Sequence, residues 1–446
     1  MTAHHRTRRG RPHFHCLGIG VGPANLSLAS LMHPHSSRIS HLFLDRKPSF
    51  GWHDGQQIPG AVLQVSPLKD LVTLADPTNP FSFLAYLHEQ GRIYHYINAQ
   101  FDAVPRQEFR NYLEWASHRN SNIVFGEEVL SVTFDGASGG AFVVHTGSRT
   151  LSADNLAIGV GSTPWVPPFA EPQLGTSQFH VSRFRELAGD LTARRVVVVG
   201  GGQSGAEAFL DLISRPEAEL PRQVSWVSRR RNFLPIDDSP FTNDFFMPCH
   251  SEYFFGLDRP TRTAFNSRHV LASDGITEST LRSIYQQVYV HRFTGEAKDL
   301  TSFHPNREVT AVTGSDAEGW RIRLAHNDAA GAAEWLEADV VVWATGLRPG
   351  PMDFLDPIAG RLERDGDEYR IDRDFAVRWD GPPDRSLFLQ NAARGQRGLA
   401  DPNLSLSAWR SMRILDRLRG THTPDQLPSF ISWGPESPAG TPGEDR

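Results

Sequence analysis

Cysteine is nearly absent: Cys16 and Cys249 are the only two in 446 residues. That excludes a disulfide framework and leaves too few thiolates for a structural zinc site. Neither has a near neighbour, so the redox CxxC of a disulfide reductase is missing as well. Cys16 stands in an apolar run and reads as a small buried hydrophobe. No stretch approaches the ~20 apolar residues of a membrane span. Charge of one sign is not dominant either. The formal net charge of -6 gives no reason to expect nucleic acid or a membrane surface as a partner. Nineteen histidines show no HExxH-type spacing, so no metal site is expected.

What is present is a chain long enough for two or three domains. Hydrophobic residues make up 39% and charged residues 22%, an ordinary globular balance. Residues 1–12 are rich in Arg and His with no apolar segment behind them, and are expected to be a disordered leader rather than an export signal. With so little cysteine, this points to the cytoplasm. Residues 421–446, rich in Pro, Gly and Ser, are expected to be a flexible tail.

Strand–helix–strand patterning occurs twice. The apolar run 14–17 precedes glycines and a helical pattern from Asn25, and 41–45 reads as the next strand. Residues 52–98, full of Pro, Gly and aromatics, read as an insertion over a ligand site. Residues 124–142 and their neighbours read as a β-meander, followed by a strand at 155–160. The second unit opens with the β-branched run 196–199, then a helix over 204–214 and a strand over 224–228. Residues 340–344 form another buried strand, read as the return of the first unit. The expected fold class is α/β, with two Rossmann-like dinucleotide-binding domains and a small, mostly helical substrate region. The first domain is expected to cover 13–185 and 335–420. The second, 186–334, is expected to be inserted within it and to carry a substrate-site insertion at about 232–291.

Gly18-Ile19-Gly20-Val21-Gly22-Pro23 follows the first strand and opens a helix. Glycines let the chain turn tightly and bring its amides to a pyrophosphate at a helix N-terminus. Pro23 occupies the place of the usual third small residue and is tolerated in a first helical turn. Asp45 ends the second strand, where a carboxylate binds ribose hydroxyls, so this loop suits FAD. Gly200-Gly201-Gly202-Gln203-Ser204-Gly205 has the standard spacing at Gly200, Gly202 and Gly205. Its second strand ends not in an acid but in Ser228, Arg229, Arg230 and Arg231. Those groups bind a 2′-phosphate, so this loop suits NADPH. Ala344-Thr345-Gly346 resembles the segment of two-dinucleotide flavoproteins that passes close to a cofactor.

Together with Trp52-His53, Leu63-Gln64, Leu68-Lys69-Asp70-Leu71, Asp76-Pro77-Thr78-Asn79-Pro80, Ser273-Asp274-Gly275-Ile276-Thr277 and Asn403-Leu404-Ser405-Leu406, the two loops resemble the N-hydroxylating flavin monooxygenases of siderophore biosynthesis, in particular the lysine N6-hydroxylating type. The resemblance runs from about residue 14 to 418. It implies that NADPH reduces FAD, that reduced flavin and O2 give a C4a-hydroperoxide, and that one oxygen passes to a terminal amine. It also implies site roles. Trp52 and His53 lie at the FAD. Gln64 lies near the flavin ring and substrate. Lys69 binds the substrate α-carboxylate, a task suited to a point charge. Asn243 contacts substrate and nicotinamide. Leu404 and Ser405 meet the flavin edge and the amine end. Thr345 and Gly346 border NADPH. Relatives are often tetramers, so a homo-oligomer is implied. Residues 271–275 read as in lysine enzymes, not as the second substrate asparagine of ornithine enzymes, and Lys69 is lacking in diamine hydroxylases. Lysine is therefore favoured, with ornithine and diamines as alternatives. Arg397 stands where relatives have a histidine, expected near the FAD.

Overall fold

The computed structural model describes residues 6–8, 10–424 and 429–434. Two sheets, one mixed and one parallel, organise the chain, and each strand that carries a dinucleotide loop lies inside its sheet. In the first, Arg11–Ile19 runs parallel to His41–Asp45 on one side and to Thr150–Ile158 on the other. Ile123–Phe125 extends one edge, and Leu387–Leu389 returns late in the chain beside Thr150–Ile158. The antiparallel strands Val129–Asp135 and Ala141–Thr146 complete the other edge. All five residues of His41–Asp45 are buried, as a strand covered on both faces requires. Helix Pro23–Met32 has no polar stripe because it too is covered on every side, and Ala24 to Met32 are all buried.

The second sheet is wholly parallel. Its order is Thr301–Pro305, Gln223–Ser228, Arg195–Val199, Val340–Trp343, Gln178–His180. One face packs helices Gln203–Ile213 and Glu278–Tyr289. The other packs the three antiparallel strands Arg307–Ser315, Gly319–His326 and Ala333–Ala338, with Trp320 and Trp343 at the contact. Between strand Gln223–Ser228 and the edge strand Thr301–Pro305 the chain makes the expected helical region, including Pro248–Phe255 and Arg259–Arg268.

Three expectations change. Val340–Trp343 belongs to the second sheet, registering Val340 to Trp343 against Val196 to Val199, and Gln178–His180 joins it there. The second unit thus extends beyond 186–334 at both ends. A four-residue run buried on both faces carries no mark of which sheet it completes. The units meet where Ser162–Pro164 pairs with Leu347–Pro349. Second, the leader is not wholly disordered: Arg6–Arg8 folds back on Arg11–His13 as an antiparallel pair, while residues 1–5 lie outside the described residues. Third, the tail is not free throughout. The Ser429 hydroxyl donates to Asp244, and the Trp433 ring stands 4.6 Å from His250 and 5.7 Å from Phe245. Residues 425–428 and 435–446 lie outside the described residues.

A buried polar chain joins the start of the first unit to its end. Arg410, 1% exposed, donates to the Asp401 carboxylate at 3.1 Å, to its carbonyl at 2.8 Å, to Gln390 at 3.3 Å and to Asn391. Asp401 also receives the Ala393 amide at 2.9 Å. Removing one partner of a buried pair strands the other charge. Arg410→Met should cost about 3–5 kcal/mol on that ground, read as a fall in the thermal or urea midpoint with earlier flavin release. An unchanged midpoint would show that the chain contributes nothing net.

Candidate functional site

Two glycines of the first loop answer to a neighbour. A Cβ on Gly18 would lie 1.9 Å from the Phe43 ring. Gly20 has φ +86°, and a Cβ there would lie 2.5 Å from the Gly159 carbonyl. Gly22 differs, because a Cβ there would meet nothing within 4 Å. It caps helix Pro23–Met32 with no side-chain bond, so open space lies at an uncapped helix N-terminus. That is the cradle a pyrophosphate needs. Asp45, 5% exposed, accepts the Val21 amide at 2.7 Å and the Lys47 amide at 2.8 Å. The carboxylate expected at the ribose therefore also braces the loop. Behind it Asn25 donates to the carbonyls of Ile19, Gly20 and Ala157 at 2.8–3.1 Å, and accepts from Gln390 at 2.6 Å.

The second loop repeats the plan more tightly. Gly200 has φ +140° and would put a Cβ 2.1 Å from the Ala344 carbonyl, while Gly205 would put one 2.4 Å from the Gly200 carbonyl. Gly202 caps helix Gln203–Ile213 without a side-chain bond, and Ser204 is half-buried in its first turn. The basic turn divides its labour. Ser228 accepts the Arg230 amide at 3.1 Å. The Arg230 guanidinium folds under the loop and donates to the carbonyls of Gly201 at 2.7 Å and Asp274 at 2.9 Å. Arg231 pairs with Asp328 at 3.0 Å. Arg229 is exposed, and its guanidinium has no ion pair among the described residues. Thr345 donates to the Trp165 carbonyl, and Gly346, φ +94°, accepts the Trp165 amide at 3.0 Å. Both sit at the crossing between the units.

Side chains from the first unit reach the second loop. Gln64 donates to Gln203 at 3.4 Å and to the Gly275 carbonyl at 3.3 Å. Gln203 in turn accepts the Thr277 amide at 2.8 Å and donates to Glu207 at 3.0 Å. Arg106 grips Glu207 with two bonds of 2.7 and 2.8 Å, a fork-on-carboxylate contact in which Glu207 is buried and Arg106 half-buried. The sequence reading missed this clamp. Its signal was a carboxylate four residues beyond Gln203 on a helix face that is otherwise apolar.

Lys69 is presented on a turn pinned by its neighbour. The Asp70 carboxylate accepts the amides of Val72, Thr73 and Phe83 and the Thr73 hydroxyl at 2.7–2.9 Å. The Lys69 ammonium is half-buried and stands 5.8 Å from the Phe246 ring centre. It has no carboxylate partner among the described residues, and burial pushes its pKa down. Phe246 belongs to the turn Thr242–Phe246, so Lys69 and the turn bearing Asn243 come together. Asn243 is exposed and donates to the Asp238 carbonyl at 2.9 Å. Trp52 packs edge-on to His53 at 5.0 Å and against Phe109 at 5.9 Å; His53 is exposed with φ +49°. Leu404 packs against the first unit's core beside Ser405, which is 2% exposed and donates to Asn403 at 2.8 Å. As placed, the Ser405 hydroxyl closes its own turn. Arg397 is not an open cofactor contact. It is 1% exposed, sandwiched between Phe255 at 4.2 Å and Phe375 at 4.5 Å, and paired with Glu252 at 2.8 Å.

Two nucleotide cradles, in units joined by Gln64 and the Arg106–Glu207 clamp, define a two-dinucleotide oxidoreductase. The cradles fit FAD and NADPH: open space at Gly22 beside an uncapped helix, and a free guanidinium beside the second loop. The chain belongs to the L-lysine 6-monooxygenase/L-ornithine 5-monooxygenase family, whose model matches residues 12–349. It is thus an N-hydroxylating flavin monooxygenase. It is 36% identical over 421 residues to the L-lysine N6-monooxygenase of Escherichia coli, covering 94% of this chain and 97% of that one. Among solved structures it is similar to the FAD-bound cadaverine monooxygenase of desferrioxamine biosynthesis from Erwinia amylovora, with a TM-score of 0.88 at 27% identity over 96% of this chain and 100% of that one. The ornithine N-hydroxylase of Kutzneria, solved with reduced FAD, NADP+ and L-ornithine, gives a TM-score of 0.83 at 28% identity over 92% and 99%.

The division within the basic turn is testable. Arg229→Ala should weaken NADPH roughly 10- to 100-fold, the scale of one lost charge-assisted contact, with little effect on NADH. Arg230→Ala should loosen the loop and weaken both. Steady-state flavin reduction with each nucleotide reads the difference, and identical behaviour of the two variants would refute the division.

Proposed function

We propose that this enzyme uses NADPH and FAD to N-hydroxylate the terminal amine of L-lysine, as a step of siderophore or related biosynthesis. Bound FAD, reduced by NADPH, supplies the oxygen-activating chemistry. The chain's own groups bind and orient the substrate and keep water away. One observation carries the choice of substrate. Lys69 is a half-buried cation with no acidic partner among the described residues, held on a turn that Asp70 fixes. A desolvated charge left unpaired is poised for an incoming anion, and the α-carboxylate of an amino acid supplies one. A diamine has none to offer.

Lysine is favoured over ornithine by residues 271–275. Ser273 and Asp274 accept from Arg394 at 3.3 Å each, and no asparagine stands among them to meet a shorter substrate. The likeness to the cadaverine enzyme favours the alternative, a diamine hydroxylase. A free alkyl amine titrates near about 10.4, so the reacting end needs a drier environment that favours its neutral form. In the same proposal the chain works as a cytoplasmic homo-oligomer, a tetramer. Among the described residues no helix is long and apolar enough to cross a membrane.

NADPH oxidation coupled to hydroxylamine formation, with products weighed by mass spectrometry, compares L-lysine, L-ornithine, cadaverine and putrescine. Efficient turnover of cadaverine without that of lysine would sink the proposal. Lys69→Ala should raise KM for lysine about 100-fold, the cost of stranding one charge of a pair, and leave the rate of flavin reduction nearly unchanged. The pH sign follows from the lowered lysine pKa. The cation is complete below that pKa and lost above it, so KM for lysine should climb as pH rises through it. In Lys69→Ala that climb should vanish.

A further inference from the structure

A cleft of about 450 Å³ lies away from both nucleotide loops. One wall is helix Arg259–Arg268 of the helical insertion, and the other is the hairpin Arg364–Asp365 with Glu368–Tyr369 and the residues after it. Arg262, Arg364, Arg370 and Arg378 line it, with Asp365 the single acid in the lining. Arg262 is only 8% exposed. It donates to Asp365 at 3.0 Å, yet its Nε–H has no acceptor. Asp365 is shared with Arg259 at 3.8 Å. Arg364 lies over the Tyr369 ring at 4.4 Å, and Arg370 reaches Glu363 at 3.5 Å. The Arg378 guanidinium is exposed and has no partner among the described residues.

Surface arginines usually spread out or pair, because like charges repel and water solvates them cheaply. Four of them round one concavity, against one lining carboxylate, leave a surplus of planar donors. A buried Nε–H without an acceptor is a rarity that calls for a cause. Guanidinium forks match oxyanions two bonds at a time, and several forks favour a multiply charged one. The volume admits a ligand of metabolite size.

We infer that this cleft is a binding site for a multiply charged oxyanion, phosphate-bearing or polycarboxylate, distinct from the nucleotide and amine sites. Such a ligand ties helix Arg259–Arg268 to the returning part of the first unit. That helix touches the Asn243 turn through Phe265, whose ring is 4.9 Å from Phe245. The inference does not depend on which amine is hydroxylated.

The test uses the holoenzyme saturated with FAD and NADP+, so that the nucleotide phosphate positions are filled. Pyrophosphate and tricarballylate are titrated separately by calorimetry and by thermal shift, with sodium chloride at matched ionic strength as control. Binding at one equivalent per chain is expected for at least one of them, with the midpoint raised by about 2 °C or more at saturation. The pyrophosphate arm identifies a phosphate-bearing ligand and the tricarballylate arm a polycarboxylate. The double variant Arg370→Gln/Arg378→Gln, checked for full flavin content, should lose at least tenfold in affinity. Absence of binding by both probes, a chloride response of equal size, or full retention in the double variant would each overturn the site.

Discussion

The first loop depends on one carboxamide. Asn25 donates to the carbonyls of Ile19 and Gly20 in the loop and of Ala157 in the neighbouring strand, and its oxygen is held by Gln390 from the far end of the chain. Buried carbonyls need donors. The loop cannot supply them from its own amides, because that of Gly20 is engaged by the Leu44 carbonyl and that of Val21 by Asp45. The donors therefore come from behind. Gln390 is fixed by Arg410, and Arg410 by Asp401, so the shape of the loop near residue 20 is set by residues some 370–390 positions later. This explains why the first unit is interrupted rather than ended. Its last strand and helix are part of the loop's support.

The second loop solves the same problem differently. Arg230 donates to the Gly201 carbonyl from below, and Trp226 donates to that of Gly200 at 2.8 Å. A cation therefore stands beneath the second loop, raising the local potential there. Beside an apolar contact of Ile58 and Ala61 with the second unit's core, polar side chains of the first unit reach the second, Gln64 to Gln203 and Arg106 to Glu207. Such contacts are directional. They fix orientation more than they add stability.

Much of this was legible in the residues. Glycine spacing, the acid at 45 and the basic turn at 229–231 carry their chemistry locally, because backbone conformation and ligand charge act over a few residues. The strands at 41–45, 196–199 and 224–228 were legible for the same reason. Pairing was not. Val340–Trp343 is apolar on both faces and fits either sheet, so only its register against Val196 to Val199 decides. The Arg106–Glu207 clamp and the docking of Trp433 join distant residues. Arg230 shows a subtler limit. Its type and position suit a 2′-phosphate, but its length also lets it turn back beneath its own loop.

The scarcity of cysteine has a practical side. Cys16 is sealed inside the central strand of the first sheet, where burial pushes its thiol up to about 12. Cys249 is half-buried on helix Pro248–Phe255, beside His250, which packs on Phe245 and Trp433. Unmodified, the chain offers a thiol-directed fluorophore or spin label a single point of attachment. That point lies on the element between the Asn243 turn and the arginine-lined cleft, where a spectroscopic reporter can follow the helical region without any engineered residue.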